Sequence, residues 1–163
     1  MAQGEFALLR DSLQPALDLS GQPVQRGTMA HEHAVCMMLV EAATMGAEEA
    51  GLRQYAPRLE QLAMHDDHRL YLAIAHRGWG AAHRLAGEYA EAEVRLNQAL
   101  ELFQGMQARW QVGRTLCELA ALDRARSDNE AALEHLGQAL EAFEALGAAP
   151  DVERTRQALA SMS

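Results

Sequence analysis

The sequence predicts an all-α fold built from antiparallel helix pairs, and three observations carry that prediction. The first is composition. Hydrophobic residues make up 49% of the 163 residues, yet aromatics only 5%, prolines number four, and alanine is abundant. Alanine loses no side-chain entropy in a helix, so this composition favours helices packed closely through small side chains. The second is a period of forty residues. Arg84-Leu85-Ala86-Gly87-Glu88-Tyr89-Ala90-Glu91-Ala92 is matched by Arg124-Ala125-Arg126-Ser127-Asp128-Asn129-Glu130-Ala131-Ala132, and Gln98-Ala99-Leu100-Glu101 by Gln138-Ala139-Leu140-Glu141. A fixed period of this size marks stacked supersecondary units. The third is the apolar spacing inside each unit. Ile74, Trp79, Ala82 and Leu85, then Ala92, Leu96, Ala99 and Phe103, recur near the 3.6-residue helical period.

Taken in order, helices are predicted near 4–18, 29–46, 49–64, 68–86, 89–105, 108–126, 129–146 and 150–161, about seven to eight in all. The stretch 20–28, rich in Gly, Pro and Gln, is the one long connector. Gly87 is a helix stop, and Glu88 opens the next helix with an acid near its positive end. Asp128 is its equivalent one period later. The forty-residue step also extends outward with less fidelity. Leu59 and Leu62 match Ala99 and Leu102, Ala47 matches Gly87, and Arg114-Thr115 recurs as Arg154-Thr155. The organisation is therefore a single domain over 1–163. It holds an N-terminal helix and connector (1–28), a degraded repeat (29–67), two clear repeats (68–107 and 108–147) and a capping helix (148–163).

The run Gly87-Glu88-Tyr89-Ala90-Glu91-Ala92, followed by Ala99-Leu100-Glu101-Leu102, resembles the turn and second helix of a tetratricopeptide repeat. Gly80 falls where that family has a small residue in its first helix. Trp79 stands where leucine is usual and His83 where tyrosine is usual, and the period is forty rather than thirty-four. That longer form resembles the arrays of kinesin light chains and of large ATP-dependent bacterial transcription regulators. The resemblance implies a right-handed superhelix of antiparallel helix pairs, a tetratricopeptide-like α-solenoid. It implies a protein-interaction scaffold set in a bacterial signalling or transcription-regulatory system. No phosphate-binding loop, serine elbow or cysteine–histidine pair appears, so no catalytic residue or cofactor is predicted, and two cysteines without a disulfide framework, no signal peptide and no membrane-length apolar run predict a cytoplasmic protein. The resemblance also implies a concave groove lined by first helices. The groove-facing positions fall at Ile74, Arg77, Ala81, Arg84 and Leu85, then at Arg114, Cys117, Ala121, Arg124 and Ala125, with Arg154 continuing the row.

Arg77, Arg84, Arg114, Cys117, Arg124 and Arg154 are thus the candidate partner-binding residues. Arginine offers planar, bidentate donors suited to carboxylates, so an acidic peptide or a C-terminal carboxylate is one reading of the row. Pairing with glutamates of adjacent helices is the other, and both stay open at this point. A rival function is a small-molecule or short-peptide sensor with an enclosed apolar pocket around Trp79, Met37 and Met45. A closed apolar groove would favour the sensor, and an open arginine-lined one the scaffold.

Other functional classes find little support. The net charge is −9, all fourteen basic residues are arginine, and no basic tract occurs, which disfavours nucleic acid and anionic membranes. Cys36 and Cys117 match neither a disulfide framework nor a metal spacing. His65-Asp66-Asp67-His68 has ligand types but falls in a predicted turn and lacks a complete ligand set, so no metal site is predicted. In His31-Glu32-His33 the two imidazoles, two apart on a helix, face different sides. Gly78-Trp79-Gly80 lies mid-helix, so close helix packing explains it better than phosphate binding. The first twenty residues carry Glu5, Arg10, Asp11 and Asp18 and read as no signal peptide.

Overall fold

The computed structural model describes residues 3–18 and 29–162; the predicted connector at 20–28 lies outside the described residues. Among the described residues the chain forms eight helices and no strand: α1 (Gln3–Asp18), α2 (Met29–Gly46), α3 (Glu49–His65), α4 (Arg69–Leu85), α5 (Tyr89–Gly105), α6 (Arg109–Ala125), α7 (Asn129–Ala145) and α8 (Ala149–Ala160). Each helix packs on the next, and the first helices α2, α4 and α6 also touch in succession. This is the all-α solenoid of helix pairs that the sequence predicts, with observed ends within a residue or so of expectation. No described helix is long and apolar enough to cross a membrane.

The turns explain the regularity. A left-handed residue recurs every twenty positions, at Ala47, Asp67, Gly87, Gln107, Ser127 and Gly147, with φ between 51° and 79°. In each turn the next amide reaches back to close the helix end. Glu88 N donates to His83 O and Ala108 N to Phe103 O at 2.9 Å, as Asp128 N does to Asp123 O. This double-turn cap satisfies carbonyls that a helix end otherwise leaves open. Glycine holds the left-handed position without steric penalty, whereas a β-carbon there costs about 1–2 kcal/mol. Gln107→Gly with Ser127→Gly should therefore raise stability by about 1 kcal/mol for the pair, after glycine's greater unfolded-state freedom is subtracted. Urea unfolding reads this directly, and an unchanged midpoint would refute the account of the turns.

The core follows the apolar periods. Leu39, Val40, Leu52, Leu59, Ile74 and Phe103 are buried in its N-terminal part, and Leu96, Leu116, Leu122 and Phe143 in its C-terminal part. α1 lies over the N-terminal end, with Leu9 and Leu13 against the core and Gln14 Oε1 accepting from Tyr55 Oη at 3.0 Å. Gly78, Gly80 and Gly113 each sit where another helix leaves no room for a β-carbon. A β-carbon on Gly80 would lie 2.5 Å from Leu96 Cγ, and one on Gly113 would lie 2.7 Å from Phe143 Cε1.

Candidate functional site

The predicted arginine row divides into two parts. Arg77 is only 1% exposed, so it is a core residue and not a groove contact. Its Nη2 donates to Glu41 Oε1, its Nη1 lies 3.3 Å from Gln111 O and 3.4 Å from Thr115 Oγ1, and its guanidinium stands 5.1 Å from the centre of the Phe103 ring. Burial pulls its pKa below the ordinary guanidinium value, and the Glu41 carboxylate opposes that pull. The expectation of a free, partner-facing Arg77 is therefore corrected. α2 brings Glu41 across the face of α4, and a buried cation needs a counter-charge. Ile74 and Ala81, also expected to line the groove, are buried as well.

Arg114 reaches the other oxygen of Glu41 with its Nη1 and lies 5.0 Å from the centre of the Trp110 ring. Arg84 Nη2 donates to Glu118 Oε2 at 3.1 Å. Internal carboxylates of other first helices thus engage three of the five arginines, which is the second of the two readings the sequence left open. Arg154 pairs with Asp151 at 2.6 Å one turn earlier on α8 but keeps 61% of its side chain exposed. Arg124 is exposed and has no ion pair or side-chain hydrogen bond among the described residues.

An open groove of about 330 Å³ lies between α6 and α8. Arg114, Cys117, Arg124 and Arg154 line it, four of the six candidate residues, while Arg77 and Arg84 do not. Its floor is apolar, made by Ala120, Ala121, Leu136, Phe143 and Ala158, and Met45 reaches in from α2. Glu118 and Asp151 also border it, but both are already occupied, Glu118 by Arg84 and Asp151 by Arg154 and the Trp110 indole. Burial acts to raise the Asp151 carboxyl, but hydrogen bonds from Trp110 and Arg154 outweigh it and hold it below its ordinary value. Burial pushes the Cys117 thiol up to about 11, so it stays protonated near neutral pH. A protonated thiol without a histidine in the groove lining is a poor nucleophile.

Trp79 and Met37 do not line this groove with Met45. Trp79 belongs instead to a network with the neighbouring helices: its Nε1 donates to Glu60 Oε2 at 2.8 Å, and Arg95 Nη1 donates to Glu60 Oε1 at 2.6 Å. In the histidine tetrad, Asp66 also meets His33 of α2, with His33 Nε2 3.1 Å from Asp66 Oδ2. His65 Nδ1 lies 2.6 Å from Asp66 Oδ1, whereas His68 stacks on Tyr71 at 4.0 Å. Among the described residues no group of three or more His, Cys, Asp or Glu is placed to hold a metal ion.

Helix pairs stacked through their first helices define a helical-repeat protein. The tetratricopeptide repeat family model matches residues 70–145, which run from the start of α4 to the end of α7, and over that stretch the chain is similar to the family. Comparison with curated proteins found no match, and comparison with solved structures found none. Tetratricopeptide repeats serve in general as non-enzymatic scaffolds that bind proteins or peptides.

Proposed function

We propose that the chain holds an acidic polypeptide segment in the groove between α6 and α8. The observation that carries this reading is Arg124: an exposed guanidinium without an internal partner among the described residues, beside an open apolar floor. Arg114, which shares the single Glu41 carboxylate with Arg77, leaves a further unbalanced positive charge beside it, although the protein as a whole is acidic. An open groove suits a chain segment better than an enclosed small ligand, which is normally buried over most of its surface. On the resemblance of its long period we set this scaffold within a signalling or transcription-regulatory system, and on its free cysteines, Cys36 and Cys117, in the cytoplasm.

A surface array of random acidic peptides tests the reading. Wild-type protein should bind a subset of them, and the binding should weaken with salt, since exposed charges are screened beyond about 10 Å at 0.1 M ionic strength. Replacing Arg124 and Arg154 together by alanine should abolish the signal, yet change stability by no more than about 0.5 kcal/mol, because both are surface positions. Retained binding by the double variant would move the partner surface away from this groove.

A further inference from the structure

The repeat itself shows what chemistry belongs beside Arg124. One period earlier, the equivalent arginine is Arg84, and it pairs with Glu118 of the next first helix at 3.1 Å. Advancing both positions by forty residues gives Arg124 and Ala158. Neighbouring features obey the same step. Thr115 Oγ1 donates to Gln111 O and Thr155 Oγ1 to Asp151 O, at 2.9 and 2.8 Å, so α6 and α8 share their local register. The register is thus kept while the carboxylate is missing: an alanine stands where the preceding repeat has its glutamate, and both Arg124 and Ala158 line the groove.

We infer that a bound polypeptide supplies in trans, to Arg124, the side-chain carboxylate that Glu118 supplies in cis to Arg84. The inference rests on the groove reading above and deepens it by naming the recognised group and the position it occupies. The small side chains of Ala120, Ala121 and Ala158 leave the space open, and Leu136 beneath them offers an apolar surface. The recognised segment therefore carries a glutamate or aspartate next to an aliphatic residue, with the carboxylate on Arg124 and the aliphatic group on the floor. A charge-assisted hydrogen bond on a planar guanidinium gives this contact its selectivity for carboxylate over amide.

The test uses amidated, acetylated, fluorescent peptide pools, random in aliphatic and small residues, with a central glutamate in one pool and glutamine in the other. Wild-type protein should bind the glutamate pool at least about tenfold more tightly, the ratio expected of one charged hydrogen bond. Ala158→Glu should restore the internal pair. It should raise Tm by about 2 °C, lose that gain when Arg124→Gln is added, and remove the preference for the glutamate pool. Ala158→Gln, of the same size without charge, should show no such coupling. Should Ala158→Glu fold poorly, Arg124→Glu serves instead and should turn the preference against the glutamate pool. If the glutamate preference survives these charge changes, the inference is overturned while the groove reading stands. A glutamine pool with a free C-terminus that binds as well as the glutamate pool overturns it in favour of a terminal carboxylate. If wild-type protein binds no pool, the groove reading falls, and the inference with it.

Discussion

Glu41→Gln should cost about 3–5 kcal/mol of folding stability, the usual penalty for leaving a buried charge without its partner. Glu41 takes Arg77 on Oε1 and Arg114 on Oε2, so one carboxylate from α2 serves cations on α4 and α6. Arg114 lies over Trp110 and lines the groove, with 15% of its side chain exposed, so it keeps a route to water when the carboxylate is lost. Arg77 has no such escape, because it is enclosed between Phe103, Thr115 and the backbone of Gln111. Amide oxygen at Glu41→Gln still accepts a hydrogen bond but brings no charge, so the variant isolates the electrostatic part. Arg77→Met should be much milder, below about 2 kcal/mol, since an unbranched side chain fills the space and Glu41 keeps Arg114. Urea unfolding of the two variants checks the order. A Glu41→Gln loss no larger than that of Arg77→Met would show that the buried cation does not depend on this carboxylate.

The same contact predicts how the array unfolds. In a linear repeat protein each unit touches only its neighbours, and cooperativity passes through those interfaces. Glu41 and Arg114 lie 73 residues apart and join the first helix of one repeat to that of the repeat after next. Removing the carboxylate should therefore broaden the unfolding transition as well as lower its midpoint, because the m-value falls when the chain no longer unfolds as one unit.

What the sequence shows here depends on how local the cause is. Helix positions follow from the apolar period and from Gly87 as a stop, and they reappear within a residue or so in the structure. Left-handed turns at Ala47, Asp67, Gln107 and Ser127 are illegible residue by residue, since none is glycine; only their twenty-residue spacing from Gly87 and Gly147 marks them. The arginine row is legible through the family's register, but its charge partners are not. Glu41 belongs to the degraded first repeat, far from Arg77 and Arg114 in sequence. One signal was present: Glu41 interrupts the apolar run from Met37 to Ala43, and an acid at such a place needs a cation. Likewise, aligning Arg84 and Glu118 with Arg124 and Ala158 exposes the missing carboxylate, although only the folded chain shows that the gap opens onto a groove.

Helix packing supplies the second large effect. Gly80→Leu should lose about 3 kcal/mol, at the upper end for overpacking a tight core. Even a β-carbon on Gly80 would sit 2.5 Å from Leu96 Cγ, 2.7 Å from its Cδ2 and 3.2 Å from the carbonyl oxygen of Ala92. Leu96 is fully buried and has little room to rotate, and the Ala92 backbone is fixed within α5. Alanine itself is the informative intermediate. Gly→Ala inside a helix normally gains about 1 kcal/mol, so any loss at Gly80→Ala is the clash exceeding that gain. Gly137 provides the matched control, because it lies inside α7 and a β-carbon there meets nothing within 4 Å. Gly137→Ala should therefore stabilise by about 1 kcal/mol while Gly80→Ala does not. Ala120, one period after Gly80 and 1% exposed, should respond to Ala120→Leu with a loss of about 1–3 kcal/mol. Thermal unfolding of the four variants settles the register. Equal melting temperatures for Gly80→Leu and the wild type would mean that α4 and α5 do not meet at this glycine, and the alignment of repeats on which the groove residues depend would be wrong.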